Sequence, residues 1–243
     1  MHETELWITK PFNDYLPGAG NFFLKLVGLH SEPRPWANFI VMQLLVALIL
    51  IVLFALLRRR LSVDRPGNFQ HAFELVHQFV HGESEDAVGH DGPRYIAFFG
   101  TLFLFILVCN LIGIIPGFQS PTMIPAVPLG CALATFLYYN WMGLREQGVG
   151  KYLAHFAGPM PFLAPLMIPI ELISHMARPL SLTVRLYANM YAGEQVTLVF
   201  LSLTYFAIPA LFMGLHVFVS LLQAYIFMLL AMMYVSGAVS HEH

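Results

Sequence analysis

Arg185 and Glu194 are nine residues apart in the stretch Arg185-Leu186-Tyr187-Ala188-Asn189-Met190-Tyr191-Ala192-Gly193-Glu194, inside the apolar C-terminal half of a 243-residue chain. An intramembrane arginine costs about 2.5–3.5 kcal/mol on insertion scales. A guanidinium has a pKa above about 12 and carries no protons. Its chemistry there is to hold, repel or gate other charges. Carboxylates and imidazoles do pass protons, and Glu171, Glu194 and His216 supply them in the same region. On a helix, Glu171, Arg178 and Arg185 stay within about 40° of one another, with Ser181 and Asn189 one turn either side of Arg185. Glu194 is turned about 180° from Arg185 and displaced about 13 Å along the axis, so the two are no intrahelical pair. In the final segment His216, Ser220 and Gln223 fall at i, i+4 and i+7, again one face.

These residues need elements to hold them, and the composition says in what solvent. Hydrophobic residues make up 58% of the chain and charged residues 11%, against about 25% charged in soluble domains. The chain reads as a polytopic membrane protein. Its net charge of −2 is uninformative about partners, and nothing in the chain suggests nucleic acid. No basic segment followed by an apolar run opens the chain, so no cleaved secretory signal is expected.

Phe39 to Leu57 is a 19-residue run broken only by Gln43 and stopped by Arg58-Arg59-Arg60, about 28 Å as a helix. Tyr95–Ile115 and Pro121–Gly143 are two further uncharged runs, joined at Pro116-Gly117 as an expected tight hairpin. Phe69–Val80 puts Phe69, Phe73, Val76 and Val80 on one side and Gln70, His71, Glu74, His77 and His81 on the other, the pattern of an interfacial helix. The acidic stretch from Glu83 to Asp91, with Gly82 and Gly89, is expected to be a loop. Pro161–Ser202 would span about 63 Å as one helix against a core of about 30 Å. Tyr205–Val235 would span about 46 Å. Either these segments break, with Pro165, Pro169 and Pro179 as candidates, or they lie tilted as an antiparallel pair turning near Ile208-Pro209. The second arrangement sets charges at graded depths and is the expectation.

The fold class is therefore an all-α membrane protein: five membrane-crossing helices plus one interfacial amphipathic helix, the last two long and steeply tilted as an antiparallel pair. Residues 1–35 form an N-terminal external or interfacial segment, and 36–243 form one membrane domain. Its spans are expected at 36–57, 95–115 and 121–143, the surface helix at 66–82, and the tilted helices at 161–202 and 205–238. Arg58, Arg59, Arg60, Arg65 and Arg94, then Arg145 and Lys151, crowd two loops that therefore face the cytoplasm, leaving the N-terminus outside and the C-terminus inside. Lys10, Lys25 and Arg34 run against that assignment.

Other uses for the polar groups remain open. Ser181, Asn189 and Ser220 could simply satisfy helix association. Glu171 and His175 have metal-ligand spacing at i, i+4 but no third ligand, and the surface-helix histidines read as a solvated face, so no metal is expected. Cys109 and Cys131 lie in apolar runs and read as packed thiols.

The run from Arg178-Pro179-Leu180-Ser181 to Tyr191-Ala192-Gly193-Glu194 resembles the signature of subunit a of F-type ATP synthases. Leu222-Gln223-Ala224-Tyr225-Ile226-Phe227 and Cys109-Asn110-Leu111-Ile112-Gly113 are further matches, and the likeness covers nearly the whole chain. It implies a membrane stator with two offset aqueous half-channels that load and unload the carboxylates of a rotating c-ring. In it Arg185 is the essential arginine, Glu194 and His216 resemble the acid–imidazole pair of the outer half-channel, and Gln223 resembles the glutamine beside the arginine. Asn189 resembles a polar pathway residue, and Glu171 and Ser181 are weaker inner-side matches. Many relatives carry an acid at the position of Gly113, leaving Asn110 as a candidate at the outer entrance here. The resemblance further implies a c-subunit ring, peripheral-stalk b subunits and other ATP synthase subunits as partners, the bacterial inner membrane as location, no cofactor, and no chemistry of its own.

Two rival classes carry less. A secondary transporter would show internal repeats and interrupted helices in two corresponding halves, whereas these polar groups cluster in one half. An intramembrane hydrolase would need a His-Glu-x-x-His or Gly-x-Ser-x-Gly element, and neither is present.

Overall fold

In a computed structural model the described residues are 5–26, 28, 30, 32–62, 67–89, 91–115, 117–155, 164–203 and 207–239. Among them there is no strand. Two short N-terminal helices, α1 (Thr9–Tyr15) and α2 (Pro17–Leu26), precede α3 (Asn38–Arg60), α4 (Asn68–Val88) and α5 (Ile96–Ile112). Three long helices follow: α6 (Ala126–His155), α7 (Ala164–Leu203) and α8 (Ala207–Val239). Asn38–Arg59, Gly92–Ile112 and Ala210–Val239 are long and apolar enough to cross a membrane. The expected helix starts at 161 and 205, the Pro116 corner and Arg65 lie outside the described residues.

Several boundaries differ from expectation for physical reasons. The surface helix does not end at Gly82 but runs through the acidic stretch to Val88. It stops at Gly89, whose φ of 83° suits a residue without a Cβ and whose N–H bonds the Glu85 carbonyl. The extension is held in place by Gly92 and by Tyr225 of α8. Ser84 Oγ donates to the Gly92 carbonyl at 2.8 Å, the Tyr225 hydroxyl donates to Glu83 at 3.1 Å, and the Phe79 and Tyr225 rings meet at 5.6 Å. Gln70, expected on the watery face, is buried. It accepts from the Ser62 N–H at 3.0 Å and donates to the Ser62 carbonyl at 3.1 Å, tying the end of α3 to the start of α4.

The hairpin between α5 and α6 is not a tight turn either. Thirteen residues, 113–125, connect them and include a short 3₁₀ turn at Pro121–Met123. Buried side chains knit this connector to the helices. Thr122 donates to Asn110 Oδ1 at 2.7 Å, Ser120 donates to the Cys109 carbonyl at 2.9 Å, and Asn110 Nδ2 reaches the Ser220 carbonyl on α8 at 3.5 Å. Asn110 is thus enclosed and its amide is occupied, so it lines no open entrance. Gly113 lies so close to this corner that a Cβ there would meet Ser120 Cβ at 2.7 Å. Helix α6 is broken at Gly148, with φ of 75° and ψ of 158°.

Helix α7 continues for 40 residues with Pro169 and Pro179 inside it. Prolines that would break a soluble helix are tolerated among packed apolar helices, where neighbouring groups compensate. The turn after Pro179 carries one added bond, from the Thr183 hydroxyl to the Pro179 carbonyl at 2.7 Å. Helices α7 and α8 run antiparallel. Asn189 faces Gln223, Met190 faces Ser220 and Phe200 stacks on Phe212 at 4.2 Å, numbers rising on one helix as they fall on the other. The main core joins α5, α6, α7 and α8. It centres on the α8 stripe Ala224, Phe227, Met228, Ala231, Met232 and Val235, packed on Phe99 and Ile106 of α5 and on Leu182, Leu186 and Met190 of α7. Alanines in that stripe let backbones approach, which is how helices associate where lipid removes the hydrophobic drive. Cys109 and Cys131 are buried and free.

Replacing Asn110 with Ala should remove the acceptor of the Thr122 hydroxyl, leaving that group only its contact with Ser120, and open a small buried gap beside α8, at a cost of about 1–3 kcal/mol. Thermal unfolding of the detergent-solubilised protein should show it, with exposed Leu48→Ala as the unaffected reference.

Candidate functional site

The buried face of α7 is set by His175, Pro179, Leu182, Thr183, Leu186 and Met190. That packing turns the opposite face outward, so Ala177, Ser181, Ala188, Asn189 and Ala192 are exposed and Arg185 is half-buried among them. Ser181 and Arg185 make no hydrogen bond or ion pair to any described residue. The two arginines of the stripe are therefore unequal. Arg178 pairs with Glu171 at 3.6 Å, and its guanidinium lies 5.4 Å from the Tyr234 ring centre and 6.0 Å from that of Tyr139. Both charged side chains are only about a third exposed, 32% and 33%. Seven residues further along the same face, Arg185 has neither carboxylate nor ring partner among the described residues.

Beside the Glu171–Arg178 pair, His175 is buried and hydrogen-bonded to Asn140 at 2.9 Å, with the Tyr139 hydroxyl 3.3 Å from the same ring. The i, i+4 pair Glu171 and His175 is thus spent separately, the acid on Arg178 and the imidazole on α6. Among the described residues no group of three metal-ligating side chains occurs.

Toward the other end of α7, Asn189 Nδ2 donates to Gln223 Oε1 at 2.7 Å, joining the two polar stripes. Gln223 is 2% exposed, and its Nε2 has no partner among the described residues. One turn beyond, the His216 ring lies against Gly193. A Cβ at that glycine would meet Nδ1 at 3.0 Å and Cε1 at 3.3 Å, so the approach depends on the missing side chain. A cavity of about 200 Å³ opens here between α7 and α8, lined by Asn189, Gly193, Thr197, Phe212, His216 and Val219 among others. Glu194 is half-buried next to Gly193 but outside the lining of this cavity, and it makes no direct bond to His216. The arrangement offers a titratable ring at a polar-lipped cavity, an amide pair, and a fixed charge on the outward face.

A family model described as ATP synthase A chain matches residues 40–236. The chain belongs to the ATP synthase subunit a family. It is 68% identical over 232 residues to ATP synthase subunit a of Solibacter usitatus (strain Ellin6076), covering 96% of this chain and 100% of that relative. It is 47% identical over 241 residues to ATP synthase subunit a of Koribacter versatilis (strain Ellin345), covering 98% of each. It is also 38% identical over 205 residues to the subunit a of a Sulfurihydrogenibium species, covering 84% of this chain and 98% of that one. Family membership and three apolar helices of spanning length make it an integral membrane protein.

Sequence reasoning for this family found both arginines but not what separates them, because Tyr139 and Tyr234 come from other helices. It also passed over Gly193, although a glycine in a membrane helix signals close approach of a neighbour. Asn189→Ala should leave both ends of the buried Gln223 amide unpaired and destabilise the protein by about 1–3 kcal/mol. Gln223→Leu removes that buried amide and should be closer to neutral; thermal unfolding of the two variants measures the asymmetry.

Proposed function

We propose that this protein is the stator subunit of the ATP synthase membrane sector, carrying protons to and from a rotating ring of small carboxylate-bearing subunits. The asymmetry of the α7 arginines carries the reading: Arg178 is paired and flanked by rings, while Arg185, on the outward face, has no partner among the described residues. A guanidinium so placed is useful when an opposite charge visits from outside the subunit. Exposed Ser181, Ala188 and Ala192 around it leave room for a partner helix to come close.

A ring carboxylate facing lipid is neutral because desolvation disfavours its charge. Beside Arg185 the ionised form gains about 4 kcal/mol at 4 Å and an effective dielectric of 20, roughly a thousandfold in the proton equilibrium. The proton leaves to one half-channel, and the site reloads from the other once past the arginine. The same positive charge repels protons and blocks a direct leak. His216, at its cavity, and Glu194 form the outer loading path, with the Asn189–Gln223 pair between them and Arg185. Glu171 and Ser181 lie on the inner side. Each charge crossing contributes about 2.3 kcal/mol per 100 mV, and lateral offset of the two paths turns it into rotation.

In this reading α3, α5, α6, α7 and α8 are the five crossings of a single membrane domain, 36–243, with α4 at the interface. At about 60 Å, α7 must lie near 60° to the membrane normal to stay within a core of about 30 Å. The basic loops put the N-terminus outside and the C-terminus inside the bacterial inner membrane. Partners are the c-ring, peripheral-stalk b subunits and the other ATP synthase subunits. The subunit moves charge and breaks no bond, so the reading invokes no cofactor.

Arg185→Ala should abolish gradient-driven ATP synthesis in reconstituted, correctly assembled enzyme and admit passive proton flux without rotation. Normal synthesis by that variant would sink the proposal. Replacing Glu194 or His216 singly should slow proton flux while leaving assembly intact. Exchanging the two should recover more flux than the single losses predict, whereas strictly additive losses in the double-mutant cycle would mean independent roles.

A further inference from the structure

Helices α3 and α5 pack tightly over only part of their length. Met42, Val46 and Leu50 close against Cys109 and Ile112, but at Phe54 a groove opens beside residues 96–104 of α5. Helix α4 crosses the gap, with its Phe73 ring meeting Phe54 of α3 at 5.6 Å. An open groove of about 340 Å³ remains between the three helices, lined by Phe54, Phe73, Val76, Gly100, Thr101 and Leu104 among others. Its polar content is small. The Thr101 hydroxyl is spent on the Ala97 carbonyl at 2.7 Å, leaving His77 as the lining side chain with a polar group to offer.

The charge lies at one end of this groove. Arg58 is one turn beyond Phe54 on the same face of α3, with Arg59 next to it. Both are exposed and neither pairs with a described carboxylate, whereas Arg34, Arg94 and Arg178 are all paired. An occupant must therefore be apolar along the groove and anionic at the arginine end. A two-turn piece of helix, about 10 Å across, displaces about 850 Å³, far more than the groove holds.

We propose that this groove seats one acyl chain of an anionic phospholipid, its phosphate held by Arg58 and Arg59. The size is at the lower end of ligand pockets, and a flexible chain can follow its uneven walls. Paired guanidinium groups at a membrane-helix end bind phosphate by charge-assisted hydrogen bonds. Gly100 leaves the groove floor open, since a Cβ there would touch only Val80 Cγ1, at 4.0 Å.

The test places intact ATP synthase in nanodiscs containing phosphatidylglycerol or phosphatidylcholine that carries a diazirine on its acyl chain. Photolysis and peptide mass spectrometry then read labelling of residues 73–80 and 96–104. Phosphatidylglycerol should label these peptides at least five-fold more than phosphatidylcholine. The double change Arg58→Gln and Arg59→Gln should erase that preference, and Gly100→Leu should lower labelling from both lipids. Equal labelling from the two headgroups would overturn the proposal, as would a preference that survives loss of both arginines. Quantitative crosslinking of an Ala97→Cys variant to another subunit would also overturn it, since a protein helix would then fill the groove. The arginine changes leave the apolar walls intact, so their outcome does not depend on tolerating Gly100→Leu.

Discussion

A fixed positive charge in an apolar environment must either be neutralised within its own chain or be kept from neutralisation at a continuing cost. This fold does both on a single helix face. Glu171 and two tyrosine rings gather around Arg178, which uses up the acid on that face. Arg185 is left to whatever comes from outside, and the surrounding structure follows from preserving that state. The buried stripe of Leu182, Leu186 and Met190 fixes the rotation of α7, so the guanidinium cannot turn inward. The Asn189–Gln223 bond joins α7 to α8 one turn away, so the two helices cannot slip past each other without breaking it.

Helix α8 bears this arrangement mechanically. One side of it builds the core, Gln223 meets α7, and Tyr225, about 200° further round, is held by Glu83 of α4. Helix α4 therefore does more than cover one end of the bundle. It fixes the position of α8, and through α8 that of the polar groups facing α7.

Much of this was legible in the sequence because its strongest signals are local. The first span shows as an unbroken apolar run stopped by three arginines, and the polar stripes of α7 and α8 follow from spacings of three, four and seven. The boundaries that differed depended on partners distant in sequence. Gly82 looks like a stop no less than Gly89 does, and the Ser84–Gly92 and Glu83–Tyr225 bonds carry the helix past the first. Gln70 has the residue type of a watery face, and its burial goes with bonds to the backbone of Ser62 and to Glu74. Arg178 and Arg185 are equivalent by type, face and spacing. What distinguishes them is the pairing of Arg178 with Glu171 on the same face and, beyond that, aromatic side chains contributed by α6 and α8, which no periodicity within α7 encodes.

The close approach of Gly113 to Ser120 carries a lesson about descent. With 2.7 Å between a Cβ at 113 and the Cβ at 120, position 113 cannot gain a side chain while the corner stays where it is. A lineage that acquires an acid at position 113 must first, or at once, shift the corner at 120. That shift disturbs the hydroxyl which bonds the Cys109 carbonyl and meets Thr122. Glycine at 113 should therefore persist in any lineage whose chain turns through this corner, whichever side chain position 120 carries.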